Sequence, residues 1–83
     1  MHYEKVYVEV VAKFLRDGGL RPLEIVWADG NRYSVERVKF IERKPSRVGS
    51  LISRRYTVTI CGLERYIYFE TDNERWFVER SFV

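Results

Sequence analysis

Apolar and polar residues alternate along much of this 83-residue chain, and that alternation constrains the fold more than any other feature. A period of two indicates a β-strand with one buried face. In the segment KVYVEVVAKFL, one side of the repeat is entirely apolar, whereas Glu9 and Lys13 lie on the other side. We therefore predict a long first strand whose buried face carries Val6, Val8, Val10, Ala12 and Phe14.

Turn signals divide the next part of the chain. Residues 17–19 (DGG) end the first strand, and the Asp29-Gly30 pair marks a tight hairpin, because glycine adopts the positive φ that such turns require. Between these turns, the alternation predicts a second strand with Leu23, Ile25 and Trp27 on one face.

The alternation slips in the third predicted strand, which begins at Tyr33. The apolar positions that follow are out of phase with Val35. One extra residue near Glu36-Arg37 would form a β-bulge, which bends a strand. A single helical turn starting at Ser34 is the alternative, and we favour the bulge.

Three further strands are predicted over residues 56–61, 65–71 and 75–82, with turns at CGLE and TDNE. Alternation assigns their side chains to two faces. The predicted inward residues are Ile67, Phe69, Trp76 and Val78. The predicted outward residues are Tyr66, Tyr68 and Phe77.

These elements predict an all-β fold in one domain over residues 1–83. Five or six strands joined by tight turns form an antiparallel meander, and no predicted helix is long enough to cover its apolar face. Curling the sheet hides that face and shortens the exposed edges. We therefore expect a small, SH3-like, half-open barrel.

One segment of the chain is strongly basic. Residues 43–55 contain five Lys or Arg residues and no Asp or Glu, and they also contain Pro45 and Gly49. We predict a loop here, between the third and fourth strands. Such a loop favours an anionic partner: nucleic acid, phosphate or an acidic protein surface. A solvated loop that only keeps the chain soluble is the alternative interpretation.

The sequence offers little for catalysis or metal binding. His2 and Cys61 are the single histidine and the single cysteine, so a Cys nucleophile has no histidine base within the chain. Structural zinc sites need four such ligands. One cysteine also excludes an intrachain disulfide. We expect a protein that is not an enzyme and that has no metal and no cofactor.

Two hypotheses for the function remain. In the first, the chain binds single-stranded nucleic acid, because small barrels combine basic grooves with aromatic rings that stack on bases. In the second, it is a protein-interaction or homodimerisation module that uses outward apolar residues, namely Val11, Leu15 and Phe77. The residues predicted for the nucleic-acid surface are Lys44, Arg47, Arg54, Arg55, Tyr66 and Tyr68.

The location of the protein is predicted from what the sequence lacks. No cleavage pattern follows the apolar stretch near the N-terminus, so we expect no signal peptide. No apolar run approaches the roughly 20 residues that span a bilayer. We therefore expect a cytoplasmic protein without a membrane association.

Two tryptophan-containing motifs carry a resemblance to a known family. They are RPLEIVWADGNRYSVERV over residues 21–38 and RYIYFETDNERWFVER over residues 65–80, with the tripeptide RYT at 55–57 between them. Together they resemble a family of short proteins of Clostridia-like Firmicutes, and related domains occur near genes for Y-family DNA polymerases. That gene neighbourhood implies a connection with DNA. The function of the family is not known, so the resemblance implies no catalytic residue. At the positions where this chain has RKPSRVGSLISRR, the family members have glycines and other small residues. The basic segment is therefore a departure from the family pattern.

Overall fold

The computed structural model describes residues 2–45 and 52–82, which form a seven-stranded antiparallel sheet curled into a half-barrel. The strands are β1 (His2–Phe14), β2 (Leu20–Val26), β3 (Arg32–Ser34), β4 (Arg37–Pro45), β5 (Ile52–Ile60), β6 (Leu63–Glu70) and β7 (Arg75–Phe82). No helix is present in these two ranges, so the all-β prediction is confirmed. Accordingly, the described part of the chain has no helix that is long and apolar enough to cross a membrane.

The sheet curls because β3 and β4, which follow each other along the chain, lie at its two opposite edges. The strand order is β3-β2-β1-β7-β6-β5-β4, so β3 and β4 are far apart in the sheet although they are adjacent in sequence. Two residues connect these edges. The Val35 N–H donates to the Leu23 carbonyl on β2 (2.9 Å), and the Glu36 N–H donates to the Thr59 carbonyl on β5 (2.8 Å). The connection brings the two edges together at one corner of the half-barrel.

This connection changes the expected number of strands. The sequence predicted one bent third strand, whereas the structure divides it at Val35-Glu36 into β3, which pairs with β2, and β4, which pairs with β5. The alternative, a helical turn starting at Ser34, is absent from residues 34–37. The register irregularity lies slightly later, between Val38 and Phe40. Seven strands therefore replace the five or six that we expected.

A second irregularity changes which face of β2 is buried. The β1–β2 register shifts between Val11 and Ala12, so that Leu23 has no partner on β1. Leu20 and Pro22 consequently face the core, while Leu23 is exposed, contrary to the simple alternation that we expected. Phe14 was also predicted to be buried, but its position at the end of β1 leaves it 83% exposed.

The β5–β6 hairpin has the tightest turn. Ile60 pairs with Leu63, and the two residues between them, Cys61 and Gly62, have φ values of 52° and 75°. Two consecutive positive φ values are characteristic of a type I′ turn, whose twist matches that of the flanking strands. The Gly62 N–H also donates to the Glu36 carboxylate at 3.1 Å, which fastens this hairpin to the corner between β3 and β4.

The main core lies on the concave face of the curled sheet. The Tyr56 ring is fully buried, and its hydroxyl donates to the Leu20 carbonyl at 2.8 Å, so the buried polar atom is satisfied. Its ring centroid lies 5.1 Å from that of Trp76. The buried residues of this cluster are Leu20, Ile25, Tyr56, Val58, Ile60, Ile67 and Trp76.

The opposite face of the sheet is also packed, which the sequence did not predict. Phe77 was expected to be exposed on it, but its side chain is 0% exposed. The Tyr68 ring stacks on Phe77 with centroids 4.9 Å apart, and the Tyr7 ring meets it edge-on at 6.0 Å. The Lys5 ammonium lies 4.7 Å from the centroid of the same ring. Long side chains of neighbouring strands thus cover this face, and residues 2–45 and 52–82 form no second sheet layer over it.

A buried ion pair completes that packing. The Lys5 Nζ lies 2.7 Å from the Glu70 carboxylate, and the Tyr7 hydroxyl donates to both carboxylate oxygens at 3.0 and 3.1 Å. Burial by itself raises the pKa of Glu70. Hydrogen bonds from Lys5, Asn73 and Tyr7 together lower it by more, so the net pKa lies below its ordinary value.

Candidate functional site

The two described ends of the basic segment, residues 43–45 and 52–55, are strand rather than loop. β4 continues to Pro45 and β5 begins at Ile52, so the basic residues at both ends of the segment belong to an antiparallel ribbon. Arg47, one of the predicted nucleic-acid contacts, lies outside the described residues. Alternation along the two strands then distributes the remaining basic side chains between the two faces of the sheet.

Lys44 and Arg55 share the convex face with an acidic neighbour. The Glu42 carboxylate lies 3.5 Å from the Lys44 Nζ and 3.3 Å from the Arg55 guanidinium. Desolvation by burial is the largest single effect and acts to lower the pKa of Arg55. Hydrogen bonds with Glu42 and Tyr68 and the charges of Tyr66 and Glu42 together outweigh it, and the net pKa is raised. This pair of cations is therefore partly neutralised before any anion approaches.

The two tyrosines predicted to stack on bases differ in accessibility. Tyr66 is 39% exposed, and the Arg55 guanidinium lies over its ring at 4.2 Å, as expected for an arginine beside an accessible aromatic ring. Tyr68 is only 2% exposed, and its hydroxyl donates to Glu79 at 2.8 Å. Burial and the bond to Glu79 raise the pKa of Tyr68 to about 12. The expected exposure of Tyr68 is therefore wrong, because Phe77 and Glu79 enclose its side chain.

Arg54 lies on the other face of the ribbon. Its Nη1 donates to the Tyr56 hydroxyl at 3.2 Å, which places it on the concave side with the core. Its direct cross-strand partner is Arg43, a residue that we did not assign to the site. The described residues of the predicted site thus form two separate basic areas instead of one surface.

A different feature of the sheet forms a concave cleft. The β6–β7 ladder consists of three registered pairs, Glu70↔Arg75, Phe69↔Trp76 and Tyr68↔Phe77. Beyond Tyr68, β6 continues to pair with β5, and beyond Phe77, β7 continues to pair with β1. The two strands therefore separate. We call the space between residues 63–67 of β6 and residues 78–80 of β7 the β6–β7 opening.

The β6–β7 opening is a cleft of about 560 Å³ lined by apolar and aromatic side chains. This volume is within the range of about 300–1,000 Å³ that is typical of ligand-binding clefts. Ile25 of β2, Trp27 of the turn that follows β2 and Tyr33 of β3 reach it across the half-barrel. Both the inward residue Ile67 and the outward residue Tyr66 line it.

The charged groups around the opening nearly cancel. Arg65 and Arg80 lie among them with Glu64 and Glu79. Glu64 accepts a hydrogen bond from Lys39 at 2.7 Å, and Arg80 pairs with Glu4. Arg65 has no ion-pair partner within the described ranges.

Sequence reasoning did not identify this cleft. Trp27 and Tyr33 were assigned to strands but not to a site, because the strand that faces them is distant in sequence. The signal that was available is one aromatic residue on either side of the Asp29-Gly30 turn, Trp27 before it and Tyr33 after it. The separation of β6 from β7 depends on backbone pairing, which side-chain alternation does not record.

Two observations concern side chains that could react or hold a metal ion. Cys61 is exposed in its turn, and its thiol is not part of a disulfide. Among residues 2–45 and 52–82, no group of three or more His, Cys, Asp or Glu side chains is arranged to hold a metal ion.

No protein family, curated protein or solved structure matches this chain. The resemblance drawn from the two tryptophan motifs therefore stays a prediction.

Proposed function

We propose that this protein is a non-enzymatic interaction module that binds an extended peptide segment of another protein in the β6–β7 opening. The observation that carries the proposal is the separation of β6 from β7 after the Tyr68↔Phe77 pair. Each strand keeps its other neighbour, so each presents one edge of backbone N–H and C=O groups without a strand beside it. Such an edge accepts an added strand through main-chain hydrogen bonds.

The side chains of the opening support a peptide as the occupant. Main-chain pairing supplies affinity, and pockets for alternate side chains supply specificity. Trp27, Tyr33 and Tyr66 provide apolar and aromatic surface beside the two edges. Aromatic residues of this kind dominate the binding energy of many protein interfaces. A peptide with alternating apolar residues satisfies both the backbone edges and the aromatic walls.

The charge of the opening supports a peptide over nucleic acid. Nucleic-acid binding draws most of its affinity from several cations placed along the phosphate backbone. The two arginines of the opening are matched by two glutamates, and the convex basic area is shared with Glu42. Binding of single-stranded nucleic acid through Lys44, Arg54, Arg55 and Tyr66 stays a separate prediction, and the experiment below tests it in parallel.

Two further properties belong to the proposal. The passage of the chain from one sheet edge to the other at Val35-Glu36 supports an SH3-like description of the half-barrel. The exposed, unpaired thiol of Cys61 supports a cytoplasmic location, because free exposed cysteines are uncommon in oxidising compartments.

A displayed library of random peptides, each about twelve residues long, tests the proposal. Selected peptides are synthesised with a fluorophore, and their dissociation constants are measured by fluorescence anisotropy. We expect saturable binding that N-methylation of alternate peptide nitrogens abolishes, because methylation removes the main-chain donors. Side-chain docking without strand pairing would tolerate part of that methylation.

Two aromatic variants provide the matched comparison. Tyr33→Ala removes a ring that lines the opening, and we expect it to weaken peptide binding about tenfold or more. Phe40→Ala removes an exposed ring from β4, away from the opening, and should change the affinity less than about twofold. Equal effects of the two variants, or failure to select any peptide, would contradict the proposal. Tight binding of a labelled oligothymidylate with no peptide binding would favour the nucleic-acid hypothesis, and a stable dimer in light scattering would favour self-association.

A further inference from the structure

A second cavity, which is polar, lies where β6 ends, at the opposite end of the β5–β6 ribbon from the Cys61-Gly62 turn. It has a volume of about 250 Å³ and is lined by Arg43, Ser53, Arg54 and Thr71. We call it the Arg43–Arg54 pocket. It shares no lining residue with the β6–β7 opening.

The charges of this pocket are not compensated within the described chain. Arg43 and Arg54 are direct cross-strand partners, and like charges in that position destabilise a sheet. No carboxylate forms an ion pair with either arginine among residues 2–45 and 52–82. The basic residues of the convex face differ in this respect, because Glu42 lies beside them. A bound anion would relieve the repulsion between the two guanidinium groups.

Thr71 and Ser53 complete the wall of the pocket. Ser53 precedes Arg54 on β5 and pairs with Lys44, so its side chain points to the opposite face of the sheet from Arg54. The Ser53 Oγ is buried on that face, and Thr71 is the residue that adds a hydroxyl to the pocket.

One of the arginines is held in position. The Arg54 guanidinium donates to the Tyr56 hydroxyl, which in turn donates to the Leu20 carbonyl. This chain of hydrogen bonds connects Arg54 to the fully buried Tyr56 ring, so the guanidinium is oriented before a ligand binds. Preorganised arginine forks are well suited to phosphate oxygens, which they can bind with two parallel hydrogen bonds.

We infer that the Arg43–Arg54 pocket binds a phosphate dianion, either free inorganic phosphate or the terminal phosphate of a monoester. Two guanidinium groups match the charge of about −1.5 to −2 that a phosphate monoester carries at neutral pH. The Thr71 hydroxyl supplies a further hydrogen bond to its oxygens. A phosphodiester carries a single negative charge and therefore matches the pocket less well.

Titration of the ¹⁵N-labelled full chain with inorganic phosphate tests the inference, with chloride used to hold the ionic strength constant. We expect saturable shifts of the Ser53, Arg54 and Thr71 resonances. Arg43→Gln should weaken binding about tenfold or more, because it removes a charge-assisted contact. Ser53→Ala should change it less than about twofold, because the Ser53 side chain points to the opposite face of the sheet. Arg43 is exposed, so its substitution is compatible with folding, which circular dichroism checks.

Arg65→Gln is the matched control. It removes the same charge from an exposed arginine that lies outside the pocket. Arg65 is four residues along β6 from Phe69, the partner of Arg54. That separation is about 13 Å, which exceeds the screening length of about 8 Å at physiological ionic strength. We expect a change of less than about twofold.

The two sources of the phosphate group are distinguished by a parallel titration with O-phospho-L-serine. Tighter binding of phosphoserine would assign the pocket to a monoester, and tighter binding of inorganic phosphate would assign it to the free ion. Absence of saturable shifts, or an equal loss in Arg65→Gln and Arg43→Gln, would overturn the inference. A tighter affinity for an oligothymidylate than for either dianion would overturn it as well, because internal phosphodiesters would then be the ligand.

Discussion

Phe77→Ala tests whether the convex face of the sheet is a second packed surface. The Phe77 side chain is 0% exposed, so its full area of roughly 170 Å² is removed from water. At about 25 cal/mol per Å², that burial stabilises the fold by about 4 kcal/mol as an upper estimate. The substitution also removes the stacked contact with Tyr68 and the edge contact with Tyr7. We expect a loss of about 3–5 kcal/mol in the free energy of unfolding.

Urea denaturation followed by tryptophan fluorescence measures this loss. With a slope of about 1 kcal/mol per molar urea, typical of small domains, the midpoint should fall by about 3 M or more. Phe77→Leu keeps most of the apolar volume and should cost only about 1–2 kcal/mol, so it remains measurable if the alanine variant does not fold.

Phe14→Ala is the same chemical change at a residue that is 83% exposed, and it should stay within about 0.5 kcal/mol of the native chain. If Phe77→Ala were as mild as Phe14→Ala, the convex face would be an ordinary solvated surface. The reasoning from side-chain coverage would then be refuted.

Three other substitutions test particular parts of the fold. Glu70→Gln should weaken the dependence of the unfolding free energy on pH. The pKa of Glu70 is lowered in the folded state from 4.5, so the stabilisation that its charged form provides is complete above pH 4.5 and is lost as the pH falls through the folded-state pKa. Urea midpoints on either side of pH 4.5 should therefore differ less in Glu70→Gln than in the native chain, and an unchanged difference would exclude Glu70 as its source. The pKa of Tyr68 is raised to about 12, so stability should decline as the pH rises from 10 towards 12, and Tyr68→Phe should reduce this decline in the same denaturation assay. Cys61→Asn should raise the unfolding free energy by about 0.5–1 kcal/mol, because asparagine adopts the positive φ of 52° more readily than cysteine, and a lower thermal midpoint would contradict this.

Much of the strand content follows from alternation, because a period of two determines both the extended backbone and the direction of each side chain. The core residues Val58, Ile67 and Trp76 were predictable on this basis, as was the hairpin at Gly30. The division of the third strand at Val35-Glu36 was not, because the partners of those two amides, Leu23 and Thr59, lie in distant strands.

The candidate site was less predictable than the fold. Alternation placed Tyr68 on the convex face but did not show that Phe77 and Glu79 would enclose it. The acid-free basic segment suggested one surface, yet Glu42, the residue just before it, lies beside Lys44 and Arg55 on the convex face. Cross-strand neighbours determine the local charge, and they become known only with the register of the sheet.

Amide hydrogen exchange of β6 and β7, measured by NMR with and without a selected peptide, tests the central claim most directly. In the free protein, alternate amides of residues 63–67 and 78–80 should exchange about 100-fold faster than the paired amides near Tyr68 and Phe77, because no strand lies beside them. With the peptide bound, these fast amides should become protected. Full protection in the free protein, or exchange that the peptide leaves unchanged, would contradict a strand-binding site between β6 and β7.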